Sequence, residues 1–126
     1  MSESETLELL SSYRFYRNVV ESMNTARKYY IYDWETFNEL ITDYQKKIEF
    51  IERLVVSFAP SRIFILIDLH YLKGIPLDKC FECMNISRST GYRYLKTAIK
   101  AVTIKYERIA DTLDISLDEL VGREKE

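Results

Sequence analysis

Between residues 70 and 100 the chain gathers most of the side chains whose types and spacing could do chemistry. His70, Cys80 and Cys83 suggest a metal or redox site, while Ser87, Arg88, Ser89, Thr90, Tyr92, Arg93, Lys96 and Lys100 suggest a surface for a polyanion. Zinc takes about four ligands, and two cysteines with one histidine fall short of that set. A thioredoxin-type Cys-x-x-Cys follows a strand, whereas this segment reads as helix on both sides. Core thiols, reactive thiols and metal ligands all stay open for Cys80 and Cys83, with core the reading that free cysteine generally follows. His70 stands four residues before Gly74. There a histidine can pair with a helix end, so a structural role is expected in preference to a catalytic one. No glycine-rich phosphate loop, paired acids or nucleophile–base arrangement occurs in the sequence. Neither catalysis nor a cofactor or metal is therefore expected.

The polyanion reading has to contend with a net charge of −2. That charge is unevenly spread. Residues 1–60 carry seven Lys/Arg and ten Asp/Glu (net −3), residues 61–108 nine and four (net +5), and residues 109–126 two and six (net −4). From Ile86 to Tyr106 there are five basic residues and no acidic one. A polymer of phosphates meets the local field, so an acidic total does not exclude nucleic acid.

The spacing around this island predicts two helices joined by a tight turn: Leu77–Met84, Asn85-Ile86, then a helix from Ser87 through Lys100. Asn85 tolerates the left-handed turn conformation. Ile86 can plug the gap between the helices, and Ser87 can cap the second. Gly91, Tyr94 or Leu95, and Ala98 are expected to face inward. Ser87, Arg88, Ser89, Thr90, Tyr92, Arg93 and Lys96 are then left outward, where a helix in a major groove meets base edges and phosphates. Lys100 and Lys105 would extend the phosphate contacts along the same face. The plainer alternative is a solvated helix with a structural cap.

At this point the chain resembles a family. The segment HYLKGIPLDKCFECMNISRSTGYRYLKTAIKAV, His70 to Val102, is similar to the promoter-binding helix-turn-helix of region 4 of bacterial sigma factors. It also resembles small phage late-transcription regulators of the ArpU and RinA type, which carry such a motif behind a helical N-terminal half. The matching pieces are Tyr71-Leu72-Lys73-Gly74, the Met84-Asn85-Ile86-Ser87 turn, Thr90, Leu95 and Ala98. The departures are Lys79-Cys80-Phe81 for a glutamate-isoleucine-alanine, Asn85 for the turn glycine, and Gly91 in a valine slot. The hole at Gly91 is one that the bulky Phe81 can fill. The resemblance implies a sequence-specific, double-stranded-DNA-binding regulator of phage or prophage late genes, cytoplasmic in a bacterial host cell. A single such module binds weakly, so a dimer or a larger partner such as RNA polymerase is implied.

The rest of the chain must hold this pair in place. Leu9, Tyr13, Tyr16, Val20, Met23, Arg27 and Tyr30 are spaced 4-3-4-3-4-3 and predict one helix over about 5–29. Phe37, Ile41, Tyr44, Ile48, Ile51, Val55 and Phe58 form a second, coiled-coil-like stripe. With Asp33 as cap and a short link, the two form a helical hairpin. Its stripe lies either inside the hairpin or between subunits of a homo-oligomer. Tyr29, Tyr30, Tyr32 and Trp34 gather at the hairpin tip, either buried locally or offered to a partner. Ser61 caps a helix over Arg62–Lys73, which Gly74 stops. A capping box from Ser116 to Glu119 predicts a short helix near Leu117–Val121 that Gly122 ends.

The expected fold is therefore all-α: a hairpin over 1–60, a helix-turn-helix module over 61–112, and a short helix with an acidic tail over 113–126. Apolar runs such as Ile63 to Ile67 are too short to span a bilayer, and Ser2 to Glu8 lack the pattern of a secretory leader. A rival function of another class is a helical protein-interaction module, acting as a phage adaptor or regulator antagonist, in which the helix pair is vestigial.

Overall fold

The computed structural model describes residues 2–29 and 34–112. Every regular element among them is helical, so the fold is all-α. The elements are α1 (Glu3–Tyr29), α2 (Trp34–Val56), α3 (Arg62–Ile67) running into a π-helical turn (Asp68–Leu72), α4 (Leu77–Met84) and α5 (Arg88–Thr112). No helix among the described residues is long and apolar enough to cross a membrane. Asp33 as a cap, Tyr30 and Tyr32 of the expected ring cluster, and the helix near Leu117–Val121 with its capping box lie outside the described residues.

Helix α1 begins two residues before its apolar stripe suggests. Ser2 accepts the Glu5 amide at 3.2 Å, the first half of a Ser-x-x-Glu box. Glu3 and Glu5 then lie at the positive end of the helix dipole. α1 and α2 pack antiparallel: Tyr13 donates to Glu52 at 3.0 Å, and Tyr16 stacks on Tyr44 with centroids 5.1 Å apart. The second stripe is thus satisfied within the chain. Ile41, Ile48, Ile51 and Val55 are buried with Leu9, Tyr13, Tyr16 and Val20 in one cluster. Lys47, a charge amid this face, is 8% exposed. Its ammonium lies 5.3 Å from the Tyr16 ring and 5.6 Å from the Tyr44 ring, and 3.4 Å from Asp43. The aromatic faces and the carboxylate offset its desolvation.

The second half of α5 completes this core. Ala98, Ile99, Val102 and Tyr106 are buried in the hairpin cluster, and Tyr106 meets Phe50 edge-on at 5.2 Å. The Thr6 and Thr103 hydroxyls lie 2.7 Å apart where α1 and α5 touch. A smaller cluster of Leu66, Cys80 and Phe81 joins α3 to α4, and Leu95 of α5 packs against both clusters.

One expected helix, Arg62–Lys73, is not α-helical throughout. Ser61 does cap it, accepting the Phe64 amide at 3.4 Å. From Asp68 the turn widens, and the Lys73 amide reaches Asp68 O at 3.0 Å, five residues back. The same spacing brings Lys73 Nζ to 2.9 Å from the Asp68 carboxylate. A five-residue period has no apolar-stripe signature, so the sequence pattern could not reveal it. Gly74, with φ 72°, ends the segment. Glycine answers the backbone sign there, and the Arg14 guanidinium of α1 lies over the bare Cα.

Candidate functional site

Helices α4 and α5 bound the site, and their ends follow from single residues. Pro76 precedes α4, where its missing amide costs no hydrogen bond. Asn85 ends α4 in the left-handed region, at φ 56° and ψ 46°, and the Ile86 amide returns to Phe81 O at 3.1 Å. That bond is the closing contact of a left-handed C-terminal cap. Two residues later Ser87 Oγ accepts the Thr90 amide at 3.3 Å and starts α5. The chain therefore passes from α4 to α5 within three residues, Asn85 to Ser87.

Gly91 and Ala98 are buried and Tyr94 and Leu95 half-buried, the inward set that the sequence pattern requires, with Gly91 against α4 and Ala98 against the hairpin. Gly91 carries the closest contact. A Cβ built on it would stand 2.5 Å from two carbons of the Phe81 ring and 2.6 Å from a third. Phe81 thus occupies the hole at Gly91, and its ring meets Tyr92 edge-on at 5.3 Å.

Outside, Ser87, Arg88, Ser89, Tyr92, Arg93, Lys96 and Lys100 are exposed and Thr90 half-exposed. These eight lie together on the first half of α5. Arg88 rests over the Tyr92 ring at 5.7 Å, with Nε 3.9 Å from Asp78. Both ends of that ion pair are more than two-thirds exposed, so it holds the guanidinium only weakly. Arg93 Nη2 donates to Thr90 Oγ1 at 3.3 Å, and Thr90 Oγ1 accepts from Ser87 Oγ at 2.9 Å. The cap and the arginine are thereby linked. What this surface can do chemically is present guanidinium forks, ammonium groups and hydroxyl donors along one helix face.

Lys105 does not belong to that face. Its ammonium donates to Ser57 O at 3.0 Å, just past the end of α2, and lies 4.7 Å from the centroid of the Phe58 ring. The lysine instead satisfies a carbonyl at a helix end. Pattern reasoning also missed Arg62, which donates from Nη1 to the Tyr94 hydroxyl at 3.0 Å and lies over that ring at 5.6 Å. Its only sequence signal was its place beside the Ser61 cap.

The Cys80 thiol and the His70 imidazole meet one backbone carbonyl, and of the two cysteines expected in the core only Cys80 is there. Cys80 is buried and donates weakly to Ile75 O at 3.5 Å, while Cys83 is exposed. Burial, and then neighbouring Cys83, push the Cys80 thiol up, keeping it protonated. His70 Nδ1 lies 2.8 Å from the same Ile75 oxygen. A carbonyl only accepts, so Nδ1 carries the proton there.

No protein-family model matches this chain, and no curated protein or solved structure matches it.

Proposed function

We propose that this protein binds double-stranded DNA sequence-specifically and regulates transcription, in the manner that the ArpU, RinA and sigma region 4 resemblance implies. Its role is then binding, not catalysis. The observation that carries the reading is the division of α5. Gly91 and Ala98 are buried on one side, while Arg88, Ser89, Tyr92, Arg93, Lys96 and Lys100 are exposed on the other. That is the partition a helix needs to lie in a major groove, with its supports behind it. Arg93, tied to the capping network, is the candidate for base readout, since a guanidinium can bridge guanine O6 and N7. Lys96 and Lys100 are candidate phosphate contacts, and Arg88 reaches either phosphate or base once Asp78 yields.

The test is a duplex titration across salt. Arg88, Lys96 and Lys100, each neutralising one phosphate, contribute about −2.7 per subunit to the log–log slope, at about 0.9 per phosphate. Lys96→Ala should flatten that slope by about one. Sequences selected from a random duplex pool should bind Arg93→Ala about 1–3 kcal/mol more weakly, with relaxed preference at one position. No duplex binding at low salt, with or without RNA polymerase, refutes the reading. It would favour the interaction-module alternative, for which the exposed Phe15 ring on the hairpin, 58% accessible beside Tyr44, is the specific observation.

A further inference from the structure

Two side chains frame the outward face of α5. Successive residues of an α-helix are rotated by about 100°, so Tyr92 and Tyr94 stand on opposite flanks of Arg93. Helix α4 covers the Tyr92 flank: Phe81 packs against the Tyr92 ring, and Asp78 faces Arg88. On the other flank Arg62, the first residue of α3, donates to the Tyr94 hydroxyl and lies over its ring. Thr97, one turn beyond Arg93, lines the shallow groove between them together with Ile63 and Leu66.

The two flanks differ in charge. Arg88 has Asp78 beside it. Arg62 is exposed, and among the described residues no carboxylate pairs with it. A guanidinium has five N–H donors in a planar fork. One is used on Tyr94, and the ring restricts the fork's orientation. The remaining donors are held at the edge of the face in place of sweeping through solvent. Neutral tyrosine satisfies the arginine without cancelling its charge.

We propose that Arg62, oriented by Tyr94, clamps a backbone phosphate of the DNA strand that lines the α5 flank opposite α4. The inference rests on the DNA-binding reading above. A helix in the major groove has a sugar–phosphate wall on each side, and contacts to the walls fix its register while base contacts supply specificity. Arg88 serves the wall on the α4 side and Arg62 the other. Arg62 lies on a different element from α5, so it resists rotation of α5 about its own axis in the groove. Tyr94 is a positioning residue here, acting through Arg62 and not on DNA.

Salt-dependent duplex titration of the full chain tests this, with Arg62→Ala and Arg62→Gln beside the wild type. Arg62 is exposed, so both variants should keep the wild-type thermal midpoint. The glutamine keeps a donor for Tyr94 without the charge. Each should flatten the slope by about 0.9, so the fourfold step from 50 to 200 mM salt weakens the variant about 3.5-fold less than the wild type. Replacing single phosphates by uncharged methylphosphonates should weaken the wild type at one position that leaves Arg62→Ala unaffected. That position should lie on the strand opposite the one sensed by Arg88→Ala. Tyr94→Phe should weaken binding in the wild type and change nothing in Arg62→Ala. A wild-type chain that binds duplex, with Arg62→Ala and Arg62→Gln retaining its slope and phosphonate pattern, overturns the clamp alone. A wild-type chain that binds no duplex overturns the parent reading, and the clamp with it.

Discussion

Gly91→Ala puts the packing of the α4–α5 pair to a quantitative test. The added Cβ would lie 2.5–2.6 Å from three carbons of the Phe81 ring, against an ordinary carbon contact of about 3.5 Å or more. The ring must retreat by about 1 Å, yet it is only 3% exposed and packed among Leu66, Cys80 and Tyr92. Overpacking of that kind costs about 1–3 kcal/mol. Alanine returns up to about 1 kcal/mol of helix propensity over glycine. The expected result is a net loss of about 0–2 kcal/mol, centred near 1. In a Phe81→Ala background the obstruction is gone, and the same substitution should stabilise by up to about 1 kcal/mol. The sign reversal amounts to a coupling of about 2 kcal/mol, within the range for residues in contact. Phe81→Ala alone should cost about 3–5 kcal/mol. Urea denaturation of the four proteins reads all of this from midpoints at constant slope. If Gly91→Ala stabilises both backgrounds equally, Phe81 does not fill the hole and the packing described here is wrong.

Other expectations follow from the hairpin core. Ile48→Ala should destabilise by about 2–5 kcal/mol, because the residue is buried within the chain; denaturation with no loss would place the stripe on the surface. Tyr106 is fully buried, and its hydroxyl has no partner among the described residues. Tyr106→Phe should therefore be neutral or stabilising by about 1 kcal/mol, and a loss larger than that in urea would mean the hydroxyl is bonded. Burial pushes the Tyr71 and Tyr106 phenols up, and burial followed by the Glu52 hydrogen bond and charge does so for Tyr13. Their folded pKa values are raised, so their stabilisation is fully present below the unfolded tyrosine value of about 10 and is lost as pH rises through the folded values. Tyrosinate absorbance should show these rings titrating late and together with unfolding; smooth titration of every ring near its ordinary value would refute that.

What was legible in the sequence is what single residues decide. Gly74, Asn85 and Ser87 each set a backbone sign or a cap, and the structure has all three in those roles. The two 4-3 stripes were legible because burial on a helix repeats with its turn. Long-range placement was not. Lys47 is polar in the pattern of α2, and its burial uses Tyr16, distant in sequence, beside the local Tyr44 and Asp43. Lys105 reads as one more cation of the basic island until Ser57 and Phe58 appear beside it. The Arg62–Tyr94 contact joins residues 32 positions apart, and nothing in the pattern of either neighbourhood pairs them.

The same nonlocal contacts explain how an exposed face can be held in one orientation. The first turns of α5 meet α3 and α4 through Gly91, Tyr92 and Tyr94, and Leu95 reaches both clusters. The later turns are buried against both hairpin helices, through Ala98, Ile99, Val102 and Tyr106. A helix propagates orientation along its axis because each residue is fixed to the next turn by hydrogen bonds. The hairpin therefore aims the Arg88–Lys100 face without contributing a side chain to it. The α3–α4 cluster sets only its flanks. On this division, a core substitution in the hairpin reaches the α5 face through stability or through the angle of α5. A substitution at Arg62, Arg88 or Arg93 leaves the fold intact and alters only what the face can hold.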